Sequence, residues 1–313
     1  MMRILIVGAG AVGGYYGTKL TLAGEDVTFL ARGQTLEALK KHDLVVKSFR
    51  GDFHARVKAV DAAVPLADYE PPDLAVVAVK SYDTDKAIDL IRSVAGPETL
   101  FLSFQNGVEN EIKLGEAFGK DKVLGCVCYI GAEVVEPGVI LHNARGTVSI
   151  GEMDGSKSTR LWNVVEAFHK ARIEVNASND IQKDLWTKLA WNTAFNQVCT
   201  VARATVGAVL ESEFMKKLLG DAMKEVFAVA AKHGVALAED LIDRHLTLSS
   251  EELRSVKPSM LQDFERGRRL EHETFAGFLV REGKKFGVPT PVNTILYDFL
   301  SFLDQLSAKE LNF

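Results

Sequence analysis

Cysteine is scarce in this 313-residue chain, with only Cys126, Cys128 and Cys199. Cys126 and Cys128 lie in the apolar run VLGCVCYIGAEV, where strand alternation points both toward one face. No second Cys pair and no spaced His pair completes a metal site, so the expectation is buried, reduced thiols, no metal and a reducing compartment. Long Lys/Arg runs are also missing. Lys and Arg total 37 against 42 Asp and Glu, a net charge of -5. That balance argues against a nucleic-acid partner, whose phosphates need many basic side chains. No apolar stretch is long enough to suggest a membrane span. The opening MMRILIVGAGAVGG lacks the basic start, long apolar run and cleavage site of a signal peptide, so a cytoplasmic location is the expectation. With 47% apolar and 25% charged residues, a large core can form without covalent staples.

What is present begins at the N-terminus. Arg3 to Val7 reads as a buried strand that runs directly into Gly8-Ala9-Gly10-Ala11-Val12-Gly13, then Gly14. A helical pattern follows from Val12 to Ala23, and Asp26 to Leu30 reads as a second strand. Strand, tight turn, helix and strand make the order of a dinucleotide-binding unit. Gly8 permits the turn, Gly10 clears the approach to a pyrophosphate, and Gly13 lets helix and strand pack closely. Free N–H groups at the helix start bind the phosphates. The second strand ends in Ala31 and Arg32, where an NAD site carries an acidic residue. A guanidinium there favours the 2′-phosphate of NADPH/NADP. Leu74 to Val79 ends in Lys80, and Leu100 to Phe104 leads into Asn106. Both residues fall beyond strand ends, where ligands of open parallel sheets sit. Residues 121–151 read as strands joined by turns at Pro137-Gly138 and near Ala144-Arg145-Gly146. His142, in this stretch, reads as structural. A helix at 156–170 and a strand at 173–175 close the first domain, set at 1–178.

From 179 to 313 the pattern is helical. One helix contains DLWTKLAWNTAFNQVCTVARA, in which Lys188, Asn192 and Asn196 are spaced by four and line one side. Three such groups in an apolar segment are costly unless paired, which points to a polar cleft. After Lys257-Pro258, Ser259-Met260-Leu261-Gln262 has the form of a capping box, and Ser259 could also serve a carboxylate ligand. Downstream, Glu271 and Glu273 are read as facing apart on a helix, and the pattern alone does not choose between them. The last helix starts near Asn293 and runs through Leu306 as packing.

The joint occurrence of GAGAVGG at 8–14, VKSY at 79–82, QNG at 105–107, LWTKLAWNTAFN at 185–196 and SMLQD at 259–263 with Glu271 resembles the ketopantoate reductase (2-dehydropantoate 2-reductase) family over essentially the whole chain. The resemblance implies an α/β fold with an N-terminal Rossmann-type dinucleotide-binding domain, an all-helical C-terminal domain and an active site between them. It implies NADPH-dependent reduction of 2-dehydropantoate to (R)-pantoate, a step of pantothenate and coenzyme A synthesis. Lys188 matches the general acid and Glu271 the family carboxylate. Asn192, Asn196 and Ser259 match substrate-binding positions. Lys80 and Asn106 match positions near the cofactor and reacting carbonyl, and Arg32 the 2′-phosphate contact. The segment RRLEHETF departs from the pattern, with Leu270 in place of a Thr and Glu273 as a second carboxylate. Two other functions stay open: a 2-hydroxy acid dehydrogenase acting on another 2-oxo acid, and a non-catalytic NADP-binding sensor. The partner is a small 2-oxo acid, and the helical domain is compatible with a homodimer.

Overall fold

A computed structural model describes residues 1–63 and 69–310. The chain divides into two compact units. The first comprises Met1–Asn106 and Asn110–Asp184, the second Gly107–Glu109 and Leu185–Phe313.

The first unit is built on a ten-stranded sheet. Its elements in chain order are β1 (Arg3–Val7), α1 (Ala11–Leu22), β2 (Asp26–Ala31), α2 (Gly33–Lys41), β3 (Leu44–Ser48), β4 (Phe53–Ala55), β5 (Lys58–Asp61), β6 (Leu74–Val77), α3 (Thr84–Arg92), β7 (Leu100–Ser103), α4 (Glu109–Phe118), β8 (Val123–Glu136), β9 (Val139–Glu152), α5 (Thr159–Lys170) and β10 (Glu174–Ala177). The strand order is β4-β3-β9-β8-β7-β6-β1-β2-β5, with β10 beside β9. β5, β2, β1, β6, β7 and β8 run parallel. Chain order reverses across β1, because β2 lies on one side of it and β6 on the other. That switch point opens a crevice at the strands' carboxyl ends. β1 and β6 are almost wholly buried, which is why they read as unbroken Ile, Leu, Val and Ala runs rather than as alternation.

β8 and β9 form one long antiparallel hairpin through Pro137-Gly138. Here the expected turn near Ala144-Arg145-Gly146 is corrected. β9 continues through it as a bulge, since Tyr129 pairs Thr147 while Ile130 pairs Arg145. Gly146 is the extra residue, and Arg145 and Gly146 both have positive φ. The local turn chemistry is real, but the hairpin register absorbs it. His142 is fully buried in this sheet. Its ring nitrogens meet the Ser48 hydroxyl at 2.9 Å and the Arg145 carbonyl at 3.1 Å. Cys126 and Cys128 are buried with their sulfurs 3.9 Å apart, on the shared face that alternation requires.

Helices make up the second unit: most of α6 (Ile181–Trp191), then a π turn (Asn192–Asn196), α7 (Gln197–Ala202), α8 (Val206–Leu210), α9 (Glu213–Lys232), α10 (Leu241–Glu252), α11 (Ser259–Glu265), α12 (Ala276–Phe286) and α13 (Pro291–Glu310). α9 supplies a buried face of Leu219, Ala222, Met223, Val226, Val229 and Ala230. α13 starts two residues before Asn293, with Pro291 at its first position, where a missing N–H costs nothing. Asn293 itself is fully buried and donates to the Ala222 carbonyl and to Glu225. It also accepts from Gln197, whose Oε1 takes the Ala276 N–H. This polar staple joins α7, α9, α12 and α13. No helix among the described residues is long and apolar enough to cross a membrane.

Candidate active site

The glycine turn lies at the carboxyl end of β1. Gly8 has φ 111° and donates its N–H to the Leu30 carbonyl at 3.0 Å. A side chain there would meet the Ala78 carbonyl, so backbone conformation and space both select glycine. Gly13 faces inward, and an added Cβ would stand 2.3 Å from the Gly8 carbonyl oxygen and 2.8 Å from Ala78 Cβ. Gly10 differs, because a Cβ there meets nothing within 4 Å. Its emptiness is on the open side, where a phosphate needs to reach the backbone. Gly10 also caps α1 without any side-chain hydrogen bond, and no acidic residue stands in the helix's first turn. Ala11, Val12 and Gly13 therefore begin a helix whose positive end is not offset by an acidic residue in its own first turn. The residues at 8–13 thus fit a dinucleotide pyrophosphate in conformation, space and charge.

Arg32 caps α2 just beyond β2. Its guanidinium is not solitary. Nη2 lies 2.9 Å from Asp83 Oδ2, in an ion pair whose arginine side chain is 74% exposed and whose aspartate is 15% exposed. Lys86 approaches the other Asp83 oxygen at 3.3 Å. β6 ends at Val77, earlier than the apolar run suggests, and Lys80 caps a short 3₁₀ turn at Ser81–Asp83. A buried polar net ties this loop to the one carrying Asn106. Thr84 Oγ1 is 2.8 Å from the Ser81 carbonyl and accepts from Gln105 Nε2 at 2.8 Å. Asn110 Oδ1 lies 3.2 Å from the Thr84 hydroxyl, and Asn110 Nδ2 donates to the Asn106 carbonyl at 2.9 Å. Thr84, Gln105 and Asn110 were not among the sequence-derived candidates, because isolated polar residues near loops carry no periodic signal. Their effect is to fix the loops of Lys80 and Asn106 to each other.

In the second unit, Lys188 is half-buried on α6, one turn before Asn192. Asn192 and Asn196 are buried and bound the π turn. A straight α-helix would carry residues four apart slowly around its axis. The wider π turn, closed by longer-range hydrogen bonds, changes that rotation over the stretch that carries both amides. Asn196 Nδ2 donates to Asn192 Oδ1 at 3.1 Å. Asn196 Oδ1 in turn accepts from the Ser259 hydroxyl at 3.3 Å and the Met260 N–H at 3.0 Å. The chain of bonds leaves one donor over: Asn192 Nδ2 is buried and meets no partner among the described residues. An orphan of that kind costs about 1–3 kcal/mol.

Two expectations are corrected here. Ser259 does not cap α11. Pro258 holds the cap position in an extended conformation, Ser259 is the first helical residue, and its hydroxyl is turned to Asn196. Gln262 likewise reaches the Lys257 carbonyl instead of closing a capping box. The Glu271 segment is not an α-helix either; Glu271 precedes a 3₁₀ turn at His272–Thr274. The structure nevertheless separates the two carboxylates. Glu273 is taken up by the Tyr297 hydroxyl and Arg281, each at 2.6 Å. Those partners hold it below the ordinary carboxylate range against the opposing effect of burial. Glu271 is buried.

Sheet, switch point and glycine turn define the class, a Rossmann-type protein with a helical C-terminal unit. The model of the family described as Ketopantoate reductase PanE/ApbA matches residues 4–155, and that of its C-terminal part matches residues 180–304. A relative from Archaeoglobus fulgidus, a 2-dehydropantoate 2-reductase, is 35% identical over 301 residues, covering 96% of this chain and 97% of its own. The uncharacterized oxidoreductase YkpB of Bacillus subtilis (strain 168) is 31% identical over 297 residues, covering 95% and 97%. Among solved structures, 2-dehydropantoate 2-reductase from Geobacter metallireducens GS-15 matches with a TM-score of 0.89 at 32% identity, over 96% of this chain and 99% of that one. The chain belongs to the ketopantoate reductase family and is an oxidoreductase.

Proposed function

We propose that the chain reduces the 2-carbonyl of 2-dehydropantoate, with NADPH as the reductant. The observation that carries this reading is the Asn192–Asn196–Ser259 chain with its one spare donor. A buried amide N–H that meets no acceptor among the described residues suits a ligand oxygen. Ser259, at the exposed end of the same chain, donates its one O–H to Asn196 and can accept from a second ligand group. Together they suit a small acid that carries both a carboxylate and a hydroxyl, and they penalise analogues that leave the amides unpaired.

When bound, the reduced dinucleotide supplies a hydride. Gly8, Ala9, Gly10, Ala11, Val12 and Gly13 hold its pyrophosphate, Arg32 draws its 2′-phosphate, and Lys80 and Asn106 act from the tied loops beyond β6 and β7. Lys188 donates a hydrogen bond to the carbonyl oxygen and delivers a proton as negative charge grows there. Glu271 orients Lys188 or a substrate hydroxyl.

Asn196→Ala tests this role. It breaks the bond to Asn192 and strips acceptors from Ser259 and Met260 together. The expected result is a fall in kcat/KM of about a hundredfold or more, with dinucleotide affinity unchanged. Retained kcat/KM would remove the asparagine chain from the site.

A further inference from the structure

The Arg32–Asp83 ion pair bears on which dinucleotide the chain accepts, and the inference rests on the reading that a dinucleotide occupies the glycine turn. In sites of this fold, the residue after β2 reads the adenosine ribose. A carboxylate there accepts a hydrogen bond from the 2′-hydroxyl of NAD, whereas an arginine pairs with the 2′-phosphate of NADP. This chain places both groups at one point. The arginine comes from the end of β2, and the carboxylate comes from the loop after β6, on the far side of β1. The carboxylate is the more enclosed partner and is also approached by Lys86, while the arginine is mostly exposed. Asp83 is therefore the fixed member of the pair.

We propose that Asp83 is a specificity-determining residue that opposes Arg32, so that the chain accepts NADH as well as NADPH. The remaining N–H groups of Arg32 can take a 2′-phosphate, but that dianion then lies close to the Asp83 carboxylate and is repelled. A 2′-hydroxyl in the same place meets an acceptor instead. Each ligand thus finds one favourable group, and discrimination is weaker than Arg32 alone would give. The sequence conceals this because Asp83 is about fifty residues from Arg32 and follows a different strand.

Fluorescence titration of the whole protein with NADPH and with NADH measures the two Kd values directly. Asp83→Asn keeps the shape and removes the charge. It is expected to raise the ratio Kd(NADH)/Kd(NADPH) about tenfold. Asp83→Glu keeps the charge and leaves the ratio near that of wild type, and Arg32→Ala lowers it. An unchanged ratio in Asp83→Asn, with both dinucleotides bound, overturns this inference and leaves the proposed function standing. Failure of wild type to bind either dinucleotide overturns both. Wild type also carries a check of its own, since a preference for NADPH beyond about a thousandfold contradicts an opposing carboxylate without any variant.

Discussion

Gly10 and Gly13 belong to one turn, yet a side chain added at each meets opposite surroundings. At Gly13 the methyl enters backbone at 2.3 Å; at Gly10 it enters open space. Gly10 is also extended, with φ -77° and ψ -168°, a conformation open to any residue. Gly13→Val is therefore expected to destabilise the fold by roughly 2–3 kcal/mol, measured by urea unfolding. Gly10→Val is expected to unfold as wild type does while losing dinucleotide affinity at least tenfold, because the branched side chain fills the phosphate's approach. A Gly10→Val protein that binds NADPH normally would place the pyrophosphate elsewhere. Glu271 and Glu273 part in the same residue-level way. Tyr297 and Arg281 engage Glu273 in the fold, and the role in chemistry proposed above belongs to Glu271.

At the scale of elements, legibility followed how local each signal was. The β1–turn–α1 unit is readable because its glycines, apolar run and helix start are adjacent in sequence. Its strand and helix fall within a residue or two of expectation. The spacing of Asn192 and Asn196 pointed to a pair that is hydrogen-bonded, but on a regular helix instead of the π turn that carries both. Nothing in a run of side chains announces one extra residue in a helical turn. Ser259 shows the converse failure. Its capping-box pattern is genuine, yet Pro258 takes the cap and a distant amide, Asn196, takes the hydroxyl. The Ala144–Gly146 bulge was misread for the same reason, since strand pairing decides between a turn and a bulge. Asp83, Thr84 and Asn293 act through partners far away in sequence, and no local pattern marks them.

Across the whole molecule, buried histidines give stability a direction with pH. Burial holds His142, His245 and His272 below the ordinary histidine value of 6.5. The unfolded chain then binds protons at a pH where the folded chain does not. The stability from these neutral rings is present above about pH 6.5 and is lost as pH falls through their folded values. The urea midpoint is expected to be lower at about pH 5.5 than at about pH 7.5, and an equal or higher midpoint would contradict the assignment. The most direct measurement is the rate of NADPH oxidation with 2-dehydropantoate, beside a panel of other 2-oxo acids, for wild type and for Lys188→Ala. The account predicts turnover of 2-dehydropantoate well above the panel, lowered about a hundredfold or more in the variant. Turnover of another acid in its place would contradict the substrate, and an undiminished rate in Lys188→Ala would contradict the proton donor at the centre of the mechanism.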